Sequence, residues 1–154
     1  MNFKEYRYQI VYDSSEKWVS NWFSNMISCD IIVDGKNYKS TESYYQSRKT
    51  TNKEDRDYIA SLNGQRSKIE VRKCLIREDW NDIKINVMRK ALIAKFNINE
   101  WKQKLLETGN EPIIEWNNWN DKFWGVSIID FKGQNNLGKL LMDFRESHKY
   151  KSLF

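Results

Sequence analysis

Histidine and cysteine are nearly missing from this sequence: His148 is the only histidine, and Cys29 and Cys74 are the only cysteines among 154 residues. The two cysteines have neither CxxC nor metal-ligand spacing, which all but excludes a zinc site, a Ser-His-Asp triad and a Cys-His dyad. No metal and no cofactor is therefore expected, and any acid–base chemistry falls to carboxylates, lysines or tyrosines. The two thiols read as reduced, which points to the cytoplasm. There is no run of about 18 apolar residues, so neither a transmembrane helix nor a membrane partner is expected. The opening MNFKEYRYQ is too polar for the apolar stretch of a secretory signal. With one proline and six glycines, the chain also lacks linkers, internal repeats and low-complexity tracts. A single domain over residues 1–154 is the expectation, because that length buries a core without staples.

What is present is charge and aromatic mass. Lysine and arginine exceed aspartate and glutamate by 26 to 21, a net +5. That balance suits a phosphorylated ligand or a nucleic acid, although the charges are interspersed and form no polybasic block. Seven Trp, eight Tyr and seven Phe can fill a core or wall a flat pocket, and composition does not separate the two uses.

Patterning predicts an α+β chain dominated by helix, with a few short strands. Residues 8–12, YQIVY, read as a strand, followed by the aromatic segment WVSNWFSNM. Asp30–Val33 and Lys36–Tyr38 read as a hairpin turning at Asp34-Gly35, a pair that favours a type I′ turn. A helix from Ser40 to Lys49 follows, capped by Ser40 or Thr41. Next comes a helix over Glu54–Leu62 with Gly64 as its C-terminal cap, and then a basic stretch, Gln65–Arg77, that reads as part helix and part loop. The strongest helical pattern runs from Asp79, its N-cap, to Phe96. It sets Trp80, Ile83, Val87, Met88, Ala91, Leu92 and Phe96 at core spacing, and Arg89, Lys90 and Lys95 suit its C-terminal half. Beyond it lie a helix from Asn99 closed by Gly109, a short strand Pro112–Trp116, an irregular stretch over 117–135 and a last helix from Asn136 to Ser147.

Three stretches carry candidate chemistry. In STESYYQSRK, residues 40–49, helical spacing puts Glu42, Tyr45, Gln46 and Lys49 on one stripe, a carboxylate, a phenol, an amide and an amine together. The alternative is a helix whose polar face is simply solvated. In EWNNWNDKFWG, residues 115–125, Trp124, with Trp119, is a candidate platform for a flat base, and Asp121 or Glu115 a candidate partner of a sugar hydroxyl. The alternative there is a loop folded onto the core by its aromatics. In GQNNLGKLLMDFR, residues 133–145, Gly133 and Gly138 bracket a helix start where backbone N–H groups and Asn135 suit an anion. It is not a P-loop, because Leu140 follows Lys139. Arg66, Arg72 and Arg77 are the arginines best suited to bidentate phosphate contact.

Taken in order, the motifs resemble the NADAR (YbiA-like) family: Ser24-Asn25, the hairpin VDGKNYKS, TESYYQSRK, R-x-D-W at Arg77, Asp79 and Trp80, VMRKALIAKF, a TG turn at Thr108-Gly109, IIEWNNWNDKFWG and NNLGKLLMDFR. The likeness spans about Asn21 to Arg145 and rests on the set and its order. It implies one compact NADAR-like domain that cleaves an N-glycosidic bond between a phosphorylated ribose and a base or amine. The substrates it implies are ADP-ribose on guanine in nucleic acid, or phosphoribosylamino-pyrimidine intermediates of riboflavin synthesis. By motif, Glu42 matches the family's catalytic glutamate, Gln46 and Lys49 belong to the same signature, and Asp121, Trp124 and Gly125 match its aspartate and Trp-Gly. Ser24 and Asn25 are carried over as substrate contacts. Ser43 stands where the family has a histidine, Val126-Ser127 stand where it has a glycine, and the Gln65–Arg77 segment is longer. A non-catalytic module that binds ADP-ribose or nucleic acid is the rival reading.

The chemistry points at the same residues. Breaking a C1′–N bond develops oxocarbenium charge, so a carboxylate such as Glu42 stabilises the transition state and orients water. A ribose on an exocyclic amine also opens to an imine, which a neutral lysine exchanges into a Schiff base. Lys49 is placed for this on the Glu42 face, given burial or a neighbouring cation such as Arg48 or Arg66 to lower its pKa. Lys95 is the second candidate.

Overall fold

The computed structural model describes residues 23–149; the strand expected over 8–12 and the start of the aromatic segment lie outside the described residues. The architecture is α+β and predominantly helical, with six α-helices and four short strands among the described residues. The chain divides into two compact units, Asn25–Ile98 and the residues on either side of it.

The first unit opens with an antiparallel hairpin, β1 (Ile31–Val33) and β2 (Lys36–Tyr38), in which Ile31 faces Tyr38 and Val33 faces Lys36. Asp34 and Gly35 take φ of +52° and +75°, the paired positive values of a type I′ turn. Ile31 and Val33 are buried while Ile32 between them is 67% exposed, the alternation of a half-buried strand.

The helix α1 (Thr41–Ser47) packs against α2 (Lys53–Ser61), α3 (Gly64–Glu70), α4 (Trp80–Phe96) and β2. All seven of its residues are buried, so its polar face is not solvated. So short a helix is unstable alone in water, and these neighbours supply the stability its own backbone cannot. Ser40 caps it, Oγ accepting from Ser43 N at 3.0 Å. It ends two residues earlier than expected: Arg48 is the C-cap, and Lys49 N donates to Gln46 O at 3.1 Å in a tighter turn.

Gly64 is not the cap of α2. Leu62 ends that helix in an extended conformation, and Gly64 is the first residue of α3, which Asn63 caps by accepting from Arg66 N at 2.9 Å. What the position demands is the missing side chain, since a Cβ would lie 3.0 Å from both Glu42 Cβ and Ser40 Oγ. A 3-10 turn, Val71–Lys73, and a loop follow, the mixed character expected of that stretch.

In α4, Met88, Ala91, Leu92 and Phe96 are buried as the spacing predicts, whereas Trp80, Ile83 and Val87 are half-buried. Asp79 occupies the N-cap position without capping. Its carboxylate receives Arg77 Nε at 2.5 Å and Nη2 at 2.9 Å instead, because a charged fork binds a carboxylate more strongly than a single amide does. Lys95 is fully buried rather than a surface cation at the helix end.

In the second unit, α5 (Asn99–Glu107) closes at Gly109, whose φ of +60° is the left-handed conformation glycine adopts at least cost. The strand expected at Pro112–Trp116 falls later and is shorter. It is β3 (Trp116–Asn117), paired in parallel with β4 (Val126–Ser127). Asn135 holds the preceding backbone: Nδ2 donates to Ile113 O at 2.9 Å and Oδ1 accepts from Glu115 N at 3.0 Å. Ile114, Trp116 and Val126 form a small core with Phe131 against it.

The last helix, α6 (Asn136–Lys149), buries the expected Leu137, Leu140, Leu141 and Phe144 and packs on α5. It also buries Arg145, whose Nη1 donates to Thr108 Oγ1 at 2.8 Å and Glu111 O at 2.7 Å. The arginine thus ties α6 to the turn that follows α5, through the Thr108 hydroxyl and the Glu111 carbonyl. Gly138 lets α6 approach, since a Cβ there would meet Ile113 O at 2.1 Å.

Candidate functional site

Asn25 sets the start of α1. Its carbonyl accepts from Glu42 N at 3.0 Å and from Thr41 Oγ1 at 3.1 Å, and its Oδ1 accepts from Thr41 Oγ1 at 3.0 Å. Nδ2 reaches Met88 Sδ at 3.5 Å. This holds Glu42 at 6% exposure, a carboxylate nearly withdrawn from water. One turn later the Gln46 Nε2 donates to Glu42 Oε1 at 2.6 Å. A carboxylate only accepts, so this bond forces the amide orientation. Gln46 Oε1 is then buried, and no donor among the described residues faces it.

Lys49 follows on the turn beyond the helix, half-buried. Its Nζ lies 5.4 Å from the centre of the Tyr45 ring and 5.8 Å from that of Trp80, two rings set edge to face at 4.9 Å. Arg77 N donates to Lys49 O at 2.8 Å and anchors the turn. Burial lowers the Lys49 pKa below the ordinary lysine value. The Glu42 charge pulls it upward, and Lys68, Arg72 and Lys84 add to the lowering. The cations acting on Lys49 are thus not the Arg48 and Arg66 read from the sequence. Arg66 is 62% exposed and 3.9 Å from Glu70, and the Arg77 guanidinium is engaged by Asp79. Tyr45 was legible on the α1 stripe. Trp80 reads from the sequence as core and as part of the R-x-D-W motif.

An open cleft of about 460 Å³ is lined by Met26, Ser28, Asn63, Gly64 and Gln65. The cleft shares Gly64 with the packing around Glu42. Ser43, at the histidine position of the family pattern, is fully buried. Its Oγ lies 2.8 Å from Ser40 Oγ and donates to Leu62 O at 2.7 Å, tying α1 to the end of α2.

Lys95 is buried near Cys29, and desolvation brings its pKa down to about 7 from 10.5. Between those values the unfolded chain holds a proton that the folded chain releases, so this group makes stability rise with pH across that window. The Lys95→Met variant is expected to flatten the rise, measured by urea unfolding at pH 7 and pH 9.

In the second unit Asp121 Oδ1 accepts from Phe123 N at 3.0 Å and Trp124 N at 2.9 Å, so the carboxylate orders its own turn. Asn117, a residue the sequence reading passed over, clamps this loop. Its Oδ1 accepts from Asp121 N at 2.8 Å, and its Nδ2 donates to Asp121 O at 2.7 Å and Val126 O at 3.3 Å. An Asn between two tryptophans carried no local signal for that task. Trp124 is half-buried, edge-on to Phe123 at 5.0 Å, and Trp119 is 50% exposed. Gly125 is required by close approach, since a Cβ would lie 2.2 Å from Glu115 O. Asn135 has φ of +52° and its amide is engaged at both ends, so its side chain braces the backbone and is not available to an anion. Val126 and Ser127, at the family's glycine position, are buried in β4. Ser24 is half-buried.

Glu42, nearly withdrawn from water, and Gln46, bonded to it, lie on α1, and Lys49 lies on the turn beyond with its amine over the Tyr45 and Trp80 rings. The NADAR domain profile matches residues 8–148, across both units. The N-glycosidase YbiA of Escherichia coli is 36% identical over 128 residues, covering 80% of this chain and 79% of the relative. Its NMR structure superposes with a TM-score of 0.81 at 32% identity, over 94% of this chain and 86% of that one. An N-glycosidase of Nostoc punctiforme is 32% identical over 80% of this chain and 83% of its own length. A riboflavin biosynthesis protein of Vibrio vulnificus is 32% identical over 81% of this chain but 35% of its own length. The chain belongs to the NADAR family. It is a hydrolase of N-glycosyl compounds.

Proposed function

We propose that this protein hydrolyses the N-glycosidic bond between a phosphorylated ribose and a base or amine, as a single NADAR domain. The observation that carries this reading is the buried Glu42 carboxylate, bonded by Gln46 on α1, with the half-buried Lys49 amine over the Tyr45 and Trp80 rings on the turn that follows, since the reaction needs an anion for oxocarbenium charge and a nucleophile. In the covalent route the ribosylamine opens to an iminium at C1′. The neutral Lys49 amine adds to C1′, a proton passes from that nitrogen to the departing amine by way of Glu42, and the C–N bond to the base breaks. The resulting lysine imine is cleaved by water, which returns the amine and releases the sugar aldehyde. Lys68, Arg72 and Lys84 supply the positive field that a phosphate seeks. Asp121, Trp119 and Trp124 are proposed to act on the base on the strength of the family motif.

Two substrate classes fit this chemistry: ADP-ribose on guanine in single-stranded DNA, and a phosphoribosylamino-pyrimidine. The test is incubation of the protein with each, reading released base by mass spectrometry. Release from DNA alone identifies a reversal enzyme, and release from the pyrimidine alone a metabolite-clearing one. Binding without release from either overturns the enzymatic reading in favour of a non-catalytic module.

A further inference from the structure

Gln46 presents a buried acceptor that nothing among the described residues answers. Its side chain is 3% exposed, its Nε2 is committed to Glu42 Oε1 at 2.6 Å, and its Oε1 has no hydrogen-bond partner among the described residues. A buried carbonyl left unpaired is costly, so its presence beside a functional carboxylate calls for a donor that arrives with the ligand. A phosphate oxygen or a base carbonyl has no proton to offer. A ribosyl compound offers two kinds of donor near its anomeric carbon: the N–H of the leaving nitrogen and the hydroxyl on C2′.

The leaving nitrogen is the wrong partner. Accepting a hydrogen bond from it would keep electron density on the carbon–nitrogen bond and oppose departure, whereas the departing amine must gain a proton. The C2′ hydroxyl is the right one. When it donates to an acceptor, its oxygen becomes more electron-rich next to the carbon that acquires positive charge, and such bonds strengthen in glycosidic transition states. The 2.6 Å bond from Gln46 Nε2 to Glu42 Oε1 makes Gln46 the neighbour of the carboxylate assigned to C1′, and so a candidate neighbour of C2′.

We infer that Gln46 is a specificity residue whose Oε1 accepts the C2′ hydroxyl of the sugar, so that the site selects ribosyl over 2′-deoxyribosyl compounds. This rests on the proposed sugar-side role of Glu42, but its test does not require turnover. Ribose 5-phosphate and 2-deoxyribose 5-phosphate are titrated against the wild-type protein and the Gln46→Met variant by calorimetry. The wild type is expected to favour the ribose compound by about tenfold, the order of one hydrogen bond to an otherwise unpaired buried group. In Gln46→Met the preference is expected to fall within about twofold, because thioether and methyl accept poorly. Equal wild-type affinities overturn the inference without any variant, which removes misfolding as an escape. A preference that persists in Gln46→Met overturns it as well. Discrimination without cleavage of any N-ribosyl substrate supports this inference while defeating the hydrolase mechanism. Cleavage without discrimination does the reverse.

Discussion

Replacing Glu42 by glutamine is expected to lower turnover by on the order of a hundredfold or more while ligand affinity changes little. The substitution is close to isosteric, and the backbone and packing contacts named here for residue 42 do not use its charge. The cap from Ser40, the bond from residue 42 N to Asn25 O and the packing against Gly64 all remain. Gln46 Nε2 still finds a carbonyl oxygen to donate to, so the amide pair replaces the carboxylate–amide pair without a rotamer change. What is lost is the negative charge that opposes oxocarbenium development and the base that moves a proton between two amines. A loss in kcat with KM preserved is the pattern of an interaction made in the transition state. Steady-state kinetics with a melting curve at the same pH make the measurement, and unchanged turnover in a folded variant removes Glu42 from the mechanism.

The outcome at α1 shows what a sequence does and does not carry. Spacing alone put Glu42, Tyr45, Gln46 and Lys49 on one stripe; the structure keeps the first three on α1 and leaves Lys49 on the turn beyond its end. Spacing said nothing about whether that stripe meets water, because a polar face is an argument for solvent until something else packs on it. Three helices and a strand do so here, and each docks by tertiary contact rather than by any property of residues 40–49. The same limit explains Gly64. A glycine after a helix reads as a left-handed cap from local statistics, while its actual task is set by Glu42, twenty-two positions earlier in the chain. Asp79 and Asn135 tell the story for polar side chains. Both sit where a helix start would welcome a cap or an anion, and both are claimed by partners that local patterns cannot foresee, Arg77 in one case and the backbone of Ile113 and Glu115 in the other. By contrast the hairpin was legible to within one residue, β1 starting at Ile31 instead of Asp30, since a type I′ turn depends on Asp34 and Gly35 alone. The core stripe of α6 was legible too, because its apolar spacing is dense enough to outweigh context.

Lys49 is expected to be the residue trapped when substrate is reduced with cyanoborohydride, adding the mass of the sugar phosphate to the peptide that contains it. Lys49→Arg keeps the positive charge but removes the amine that can be neutral, so the adduct disappears and turnover falls by on the order of a hundredfold or more. Lys95→Met should leave the adduct on Lys49 intact. The pH dependence follows from the direction of the Lys49 shift. Burial holds the folded amine's pKa below the ordinary value of 10.5, so the neutral nucleophile grows as pH rises through that lowered value, and the single-turnover trapping rate rises with it. The midpoint must therefore fall below the range of an exposed lysine. Glu42 raises the Lys49 pKa, so in Glu42→Gln the trapping midpoint must move to still lower pH even though turnover collapses. A structural role for either residue would not couple the two in that way. A midpoint that stays fixed between wild type and Glu42→Gln, or an adduct that survives in Lys49→Arg, excludes the covalent route and leaves Glu42 acting on water alone.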